Sequence, residues 1–287
     1  MASLQDRVVV ITGGASGLGA ASARACVAEG ARVFLGDIQD DRGAAVAASL
    51  GPAATFVHCD VTRETDVARL IDRAVTDGGG LDCHVNNAGI VGAVGPIDEL
   101  DLGEYRFSMG VLLDSVILGL KHAARVMKPQ RKGVIVSISS VAGVQGGLGP
   151  HSYAAAKSAI IGLTRNVAAE LGAYGIRVNA IAPGKMATPL TAGLVLDDPD
   201  DIEGTLAYMG NTSPLYQRAG TAADVATAVA WLASDNAGYI SGHTLVIDGG
   251  LTTGSPQSPK AGELNRFAAR RPLIREAGRT GVTAPSE

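Results

Sequence analysis

The stretch Arg7-Val8-Val9-Val10-Ile11-Thr12-Gly13-Gly14-Ala15-Ser16-Gly17-Leu18-Gly19 decides how the rest of the chain is read. Its first half is an unbroken β-branched apolar run that stops at two glycines. Residues 15–29 then follow an Ala-rich, helix-period pattern closed by Gly30 at a C′ position. A strand that is apolar at every position must be covered on both faces, which is the condition of a parallel sheet between layers of helix. The alternation repeats. Strands are expected at 32–37, 54–59, 81–86, 133–138, 177–182 and 244–247, and helices at about 40–50, 64–76, 102–127, 152–171 and 222–234. The pattern predicts an α/β protein: a single doubly wound parallel sheet with helices on both faces.

No Pro/Ser-rich linker or internal repeat interrupts this alternation before Gly250, so residues 1–250 read as one domain. Residues 188–214 are long for a strand-to-helix connection and carry Leu190, Leu194, Val195 and Leu196, the composition of a substrate lid. Residues 251–287, rich in Pro, Gly, Ser and Arg, form a C-terminal extension. With 46% hydrophobic and 18% charged residues among 287, the chain is too apolar to be disordered. A net charge of −4 supplies no basic field, so no nucleic-acid partner is expected. No run reaches the ~18 apolar residues of a membrane span. The longest, 111–120, is broken by Asp114, and the N-terminal residues lack a secretory apolar segment. Cys26, Cys59 and Cys83 are odd in number without CxxC spacing, and the five histidines are scattered. Neither a disulfide framework nor a metal site is expected, and the protein is expected to be reduced and cytoplasmic.

Glycines at a first strand-to-helix turn let backbone approach a pyrophosphate, while the helix N-terminus offers free N–H groups. Asp37 ends the second strand about 20 residues on, where a carboxylate accepts hydrogen bonds from adenosine ribose hydroxyls and repels a 2′-phosphate. No Arg or Lys occupies Ala15, Ser16 or Ile38, so NAD is the expected cofactor rather than NADP. The expected contacts near this end are Gly13, Ser16, Gly17, Leu18, Gly19, Asp37, Ile38, Asp60 and Val61. Asp60 is placed at the adenine edge, with helix capping by nearby Thr62 as an equally local role.

Tyr153-Ala-Ala-Ala-Lys157 sets a phenol and an ammonium on one helix face, and Ser140 follows the 133–138 strand at its carboxyl end, where open α/β sheets bind ligands. An ammonium beside a phenol favours phenolate, so Tyr153 is the expected general acid/base and the Ser140 hydroxyl the expected holder of a substrate oxygen.

With these motifs in order, the chain resembles the short-chain dehydrogenase/reductase superfamily, a Rossmann-type fold. The resemblance runs from about Arg7 to Gly250 through Thr12–Gly19, Asp37, Asp60-Val61, Asn86-Asn87-Ala88-Gly89, Ser140, Tyr153, Lys157, Pro183-Gly184 and Asp248-Gly249-Gly250. It implies that Tyr153 is the catalytic acid/base, that Lys157 binds the nicotinamide ribose and lowers the Tyr pKa, and that Ser140 orients the substrate. It further implies that Asn87, Ala88 and Gly89 steady the sheet beside the cofactor, and that the Pro183-Gly184 turn, Met186 and Thr188 receive the nicotinamide. A homotetramer or dimer built on the long helices is also implied. The chain departs from the family at Leu112, where an Asn usually helps hold a water linking the Lys to solvent. No Asn lies between Asn87 and Asn166. Leu cannot bind water, so a relay would need backbone carbonyls or another side chain, and Asp114 points elsewhere on the helix.

Residues expected around the substrate are Val91, Val94, Ser140, Val141, Val144, Gln145, His151, Tyr153, Lys185, Met186, Leu190, Leu194 and Val195, largely apolar and with one cation at the mouth. They suit interconversion of a small apolar secondary alcohol, such as a steroid, terpenoid or aryl alcohol, and its ketone. Two alternatives are a 3-oxoacyl thioester reductase, disfavoured by Asp37 and the lack of a basic docking surface, and a non-catalytic NAD-binding protein, disfavoured by the intact Ser140–Tyr153–Lys157 set.

Overall fold

A computed structural model describes residues 4–215 and 218–254. Residues 1–252 belong to one compact unit, and the expected extension at 251–287 lies almost wholly outside the described residues. Seven parallel strands make the main sheet: β1 (Val8–Thr12), β2 (Arg32–Asp37), β3 (Ala54–His58), β4 (Cys83–Asn86), β5 (Gly133–Ile138), β6 (Ile176–Pro183) and β9 (Thr244–Ile247). Their order is β3-β2-β1-β4-β5-β6-β9. Two-residue strands β7 (Met186–Ala187) and β8 (Gly220–Thr221) pair separately.

The covering helices are α1 (Gly17–Ala28), α2 (Asp40–Leu50), α3 (Glu64–Gly78), α4 (Leu102–Met109), α5 (Ser115–Gln130), α6 (His151–Leu171), α7 (Pro189–Leu196), α8 (Ile202–Thr212) and α9 (Ala222–Ala233). Alternate residues of β1 explain its apolar run. Val9 and Ile11 enter one core with Ala23 and Cys26 of α1 and Val225, Val229 and Leu232 of α9. Val8 and Val10 enter the other, with Leu70 and Ile71 of α3, Leu120 and Met127 of α5, and Ile160 of α6. Every residue of β1 is buried.

Three elements differ from the sequence reading. The expected helix at 102–127 is α4 and α5 joined by a single π-helical turn, Gly110–Asp114. The whole stretch Leu102–Gln130 is long and apolar enough to cross a membrane, but Val111, Leu112, Val116, Leu120, Ala123 and Met127 of it are buried in the protein. The 188–214 connection is not an irregular loop: it folds into α7 and α8, capped by the Thr188 and Asp201 side chains. Thr62 does not cap α3, which begins at Glu64 after Arg63. Instead Asp60 Oδ1 accepts from the Thr62 N–H at 3.0 Å and its hydroxyl at 2.7 Å, closing a local turn.

The order reverses between β1 and β4, so a crevice opens at their carboxyl ends, the position where doubly wound sheets receive ligands. Asn87 staples its two sides. Asn87 Nδ2 donates to the Thr12 and Gly13 carbonyls at 2.9 and 3.0 Å, and Thr12 Oγ1 accepts from the N–H groups of Asn87 and Ala88.

Candidate active site

The crevice continues as a cleft of about 440 Å³ running from Asp37 and Asp60 past Gly13 and Gly17 to Tyr153, Lys157, Thr188 and Leu190. At its first end the backbone is drawn close. Gly13 (φ +67°) and Gly17 (φ +49°) occupy the left-handed region, and a Cβ on Gly13 would lie 2.8 Å from the Ala88 Cα. Gly19 acts from behind: a Cβ there would strike the Gly13 carbonyl oxygen at 2.0 Å. Helix α1 opens without a side-chain cap on Ser16 and without acids in its first turn, leaving N–H donors and positive dipole for an anion. Asp37, buried at the end of β2, accepts from the N–H of Ala15 at 3.0 Å and of Gln39 at 3.0 Å, tying the glycine turn to the strand end. A glycine cradle under an open helix N-terminus, with a carboxylate beyond it, fits a dinucleotide whose pyrophosphate lies on the turn and whose ribose hydroxyls meet Asp37.

At the other end β5 delivers Ser140 and α6 delivers Tyr153 and Lys157. Ser140 Oγ accepts from the Ala142 N–H at 3.1 Å, and Ser139 Oγ donates to the Lys157 carbonyl at 2.7 Å, locking the strand end to the helix. Lys157 is buried and its Nζ donates to the Ile138 carbonyl at 2.8 Å, 5.4 Å from the centroid of the Tyr153 ring. Burial pushes the Tyr153 phenol above its ordinary value, and a hydrogen bond with Ser140 acts the other way. Burial also brings Lys157 down to about 8. The Tyr153 phenol thus stands above its ordinary value in this cleft because its own burial is the largest influence on it.

Of the expected contacts, Gly13, Ser16, Gly17, Leu18, Asp37, Ile38, Asp60, Val61, Asn87, Ala88, Gly89, Tyr153, Lys157, Thr188 and Leu190 line this cleft. Gly19, Ser140, Val141, Gln145, His151, Pro183, Gly184 and Leu194 stand outside its lining, with Gln145, His151 and Leu194 exposed. Lys185 and Met186 instead line a separate cavity of about 300 Å³ together with Met209 and Leu215. Eight lining residues were not among the expected contacts: Gln39, Cys59, Thr62, Ile90, Phe107, Val111, Ile138 and Pro189. Phe107 and Val111 stand four apart and so share a helix face. Phe107 is 64% exposed, an apolar ring offered to the cleft mouth. Metal-ligating groups do not cluster among the described residues.

A family model described as enoyl-(acyl carrier protein) reductase matches residues 13–252. Momilactone A synthase of Oryza sativa subsp. japonica is 46% identical over 253 residues, covering 87% of this chain and 91% of its own. The (+)-borneol dehydrogenase 2 of Salvia officinalis is 44% identical over 259 residues, covering 87% and 90%. Among solved structures, levodione reductase superposes with a TM-score of 0.80 at 36% identity, covering 88% of this chain and 99% of that one.

Proposed function

The chain belongs to the short-chain dehydrogenase/reductase family, and from that premise we propose that it is an NAD-dependent dehydrogenase interconverting a secondary alcohol on an apolar, terpenoid-like ring skeleton and its ketone. The observation that carries this reading is the joining of Tyr153 and Lys157 with the glycine turn and Asp37 in one cleft. The substrate class is supported by the apolar mouth, where Phe107 and Leu190 stand exposed, and by relatives named for borneol, xanthoxin and zerumbone. NAD over NADP is supported by the Asp37 carboxylate and the absence of a cation at Ala15, Ser16 or Ile38.

Bound nicotinamide supplies the hydride acceptor. Gly13, Ser16, Gly17 and Leu18 would hold the pyrophosphate on the N-terminus of α1, Asp37 the adenosine ribose, and Lys157 the second ribose. Ser140 orients the substrate hydroxyl toward Tyr153, which as phenolate takes its proton. Lys157, with Nζ 5.4 Å from the Tyr153 ring centroid, supports the phenolate charge. Phe107, Ile90 and Leu190 offer apolar surface to the substrate skeleton. In the reverse direction Tyr153 returns the proton to the ketone oxygen. A homo-oligomer joined through its long helices is part of the same proposal.

The test is reduced-cofactor formation, followed by absorbance, with NAD and NADP against bicyclic terpenoid, steroid, aryl and simple secondary alcohols, and the reverse reaction with a 3-oxoacyl thioester. Turnover with NAD on a cyclic apolar alcohol is expected. Turnover confined to the thioester, or no turnover in either direction despite NAD binding, would replace the reading.

A further inference from the structure

We propose that the Leu112 side chain seals the rear of the Lys157 site, leaving the buried ammonium one fixed protein acceptor and access to water only from the cleft. This is a positioning role exerted through Lys157, and it rests on the reading of Tyr153 and Lys157 as the proton-handling pair. Leu112 is fully buried in the π-helical turn, the one place where the long helical stretch carries an extra residue. Leu112 and Lys157 both approach Gly89: a Cβ built there would lie 3.5 Å from Leu112 Cδ2 and 3.9 Å from Lys157 Nζ. The other methyl, Cδ1, lies 3.5 Å from the equivalent point on Gly92. Leu112 thus places hydrocarbon beside Gly89 and Gly92, on the same stretch of loop that Lys157 Nζ approaches.

A lysine ammonium has three N–H donors. The described residues give this one a single acceptor, the Ile138 carbonyl. Burial alone accounts for the low pKa of Lys157, with no charged neighbour offsetting it. Tyr153, on its own helix, is the titratable group beside it. The groups on neighbouring elements lie elsewhere: β5 and the 87–95 loop contribute no charged side chain, Arg177 of β6 bonds the Ser234 carbonyl, Glu104 and Arg106 of α4 are exposed, and Asp114 of the π turn faces solvent.

The chemical consequence concerns one proton. Tyr153–OH with Lys157–NH2 and Tyr153–O⁻ with Lys157–NH3⁺ hold the same number of protons, so the environment alone chooses between them. A leucine wall withholds a second acceptor from the ammonium and favours the neutral pair. The ion pair, which is the form that removes a proton from an alcohol, then depends on polar groups arriving through the cleft.

The test is a titration of the ligand-free protein labelled with [¹³Cε]lysine, the Lys157 resonance being assigned by its loss in Lys157→Met. The wild-type midpoint is expected at about 8. Leu112→Asn, which adds an acceptor, should raise it by about one unit. Leu112→Ala, which opens room for water without a buried amide, should move it the same way and serves if the Asn variant is poorly folded. Leu112→Met should leave it in place. In alcohol oxidation, Leu112→Asn should move the rise of kcat with pH to lower pH, because a better-held ammonium favours phenolate. Coincident midpoints in the wild type and both the Asn and Ala variants would overturn the proposal while leaving the dehydrogenase reading intact. Failure of every alcohol to turn over in the wild type would remove that reading instead, and the Lys157 midpoints would still decide whether Leu112 seals the site.

Discussion

At the scale of single residues, Asp37 has two tasks. Its carboxylate holds the glycine turn through the Ala15 N–H, and in the proposed function it presents charge to the cofactor's adenosine ribose. The first task was not legible in the sequence, because Ala15 comes within 3.0 Å only through the geometry of the turn. The second was, because spacing alone puts an acid at the end of the second strand. Asp37→Ser should lower the NAD-over-NADP ratio of kcat/KM by at least about tenfold, roughly 1.4 kcal/mol. An unchanged ratio would remove Asp37 as the selector. Tyr153 and Lys157 show the same division: their four-residue spacing is written in the chain. The direction in which their pKa values move is not, because it is set by burial that only the folded chain creates.

At the scale of elements, the π-helical turn at Gly110–Asp114 could not be read from the chain, since one turn of wider pitch leaves the apolar spacing of residues 102–130 almost unchanged. The length of residues 188–214 signalled a lid, but its two short helices, α7 with six apolar residues in eight and α8 with mixed polarity, lack a clear amphipathic period. The segment begins against the glycine turn, with Thr188 Cβ and Pro189 Cδ 3.6 and 3.7 Å from a Cβ placed on Gly17. It is also tied to α2 by the Arg42–Asp200 ion pair at 3.3 Å. Both partners are exposed, and such pairs contribute at most about 1 kcal/mol. Arg42→Ala should therefore speed release of the reduced cofactor by no more than about fivefold in low salt, an effect that fades as salt screens the pair. Stopped-flow displacement of bound NADH checks this, and an effect independent of salt would assign the change to another cause.

At the scale of the whole molecule, the doubly wound sheet was legible because β1, residues 134–136 of β5 and residues 180–182 of β6 carry apolar runs that only a two-sided core accommodates. The polar group buried deepest between its layers was not. His84 of β4 looks like any scattered histidine, yet it is fully buried, with Nε2 2.9 Å from Asn86 Oδ1, while Asn86 Nδ2 donates to Ser137 Oγ at 3.1 Å. Burial lowers its pKa to about 4. Below about pH 6.5 the unfolded chain takes up a proton that the folded one refuses, so stability falls as pH drops from about 6.5 toward 4. Unfolding at pH 5 should cost about 2 kcal/mol less than at pH 7 through this residue. Denaturant melts of wild type and His84→Gln at the two pH values check it, since the variant should lose that part of the difference. Oxidation of an apolar secondary alcohol through Tyr153 is tested most directly by single-turnover NADH formation in wild type and Tyr153→Phe with NAD bound to both. The rate should be lower by about 10²–10⁴-fold in Tyr153→Phe with NAD affinity little changed. Equal rates in the two proteins would contradict it.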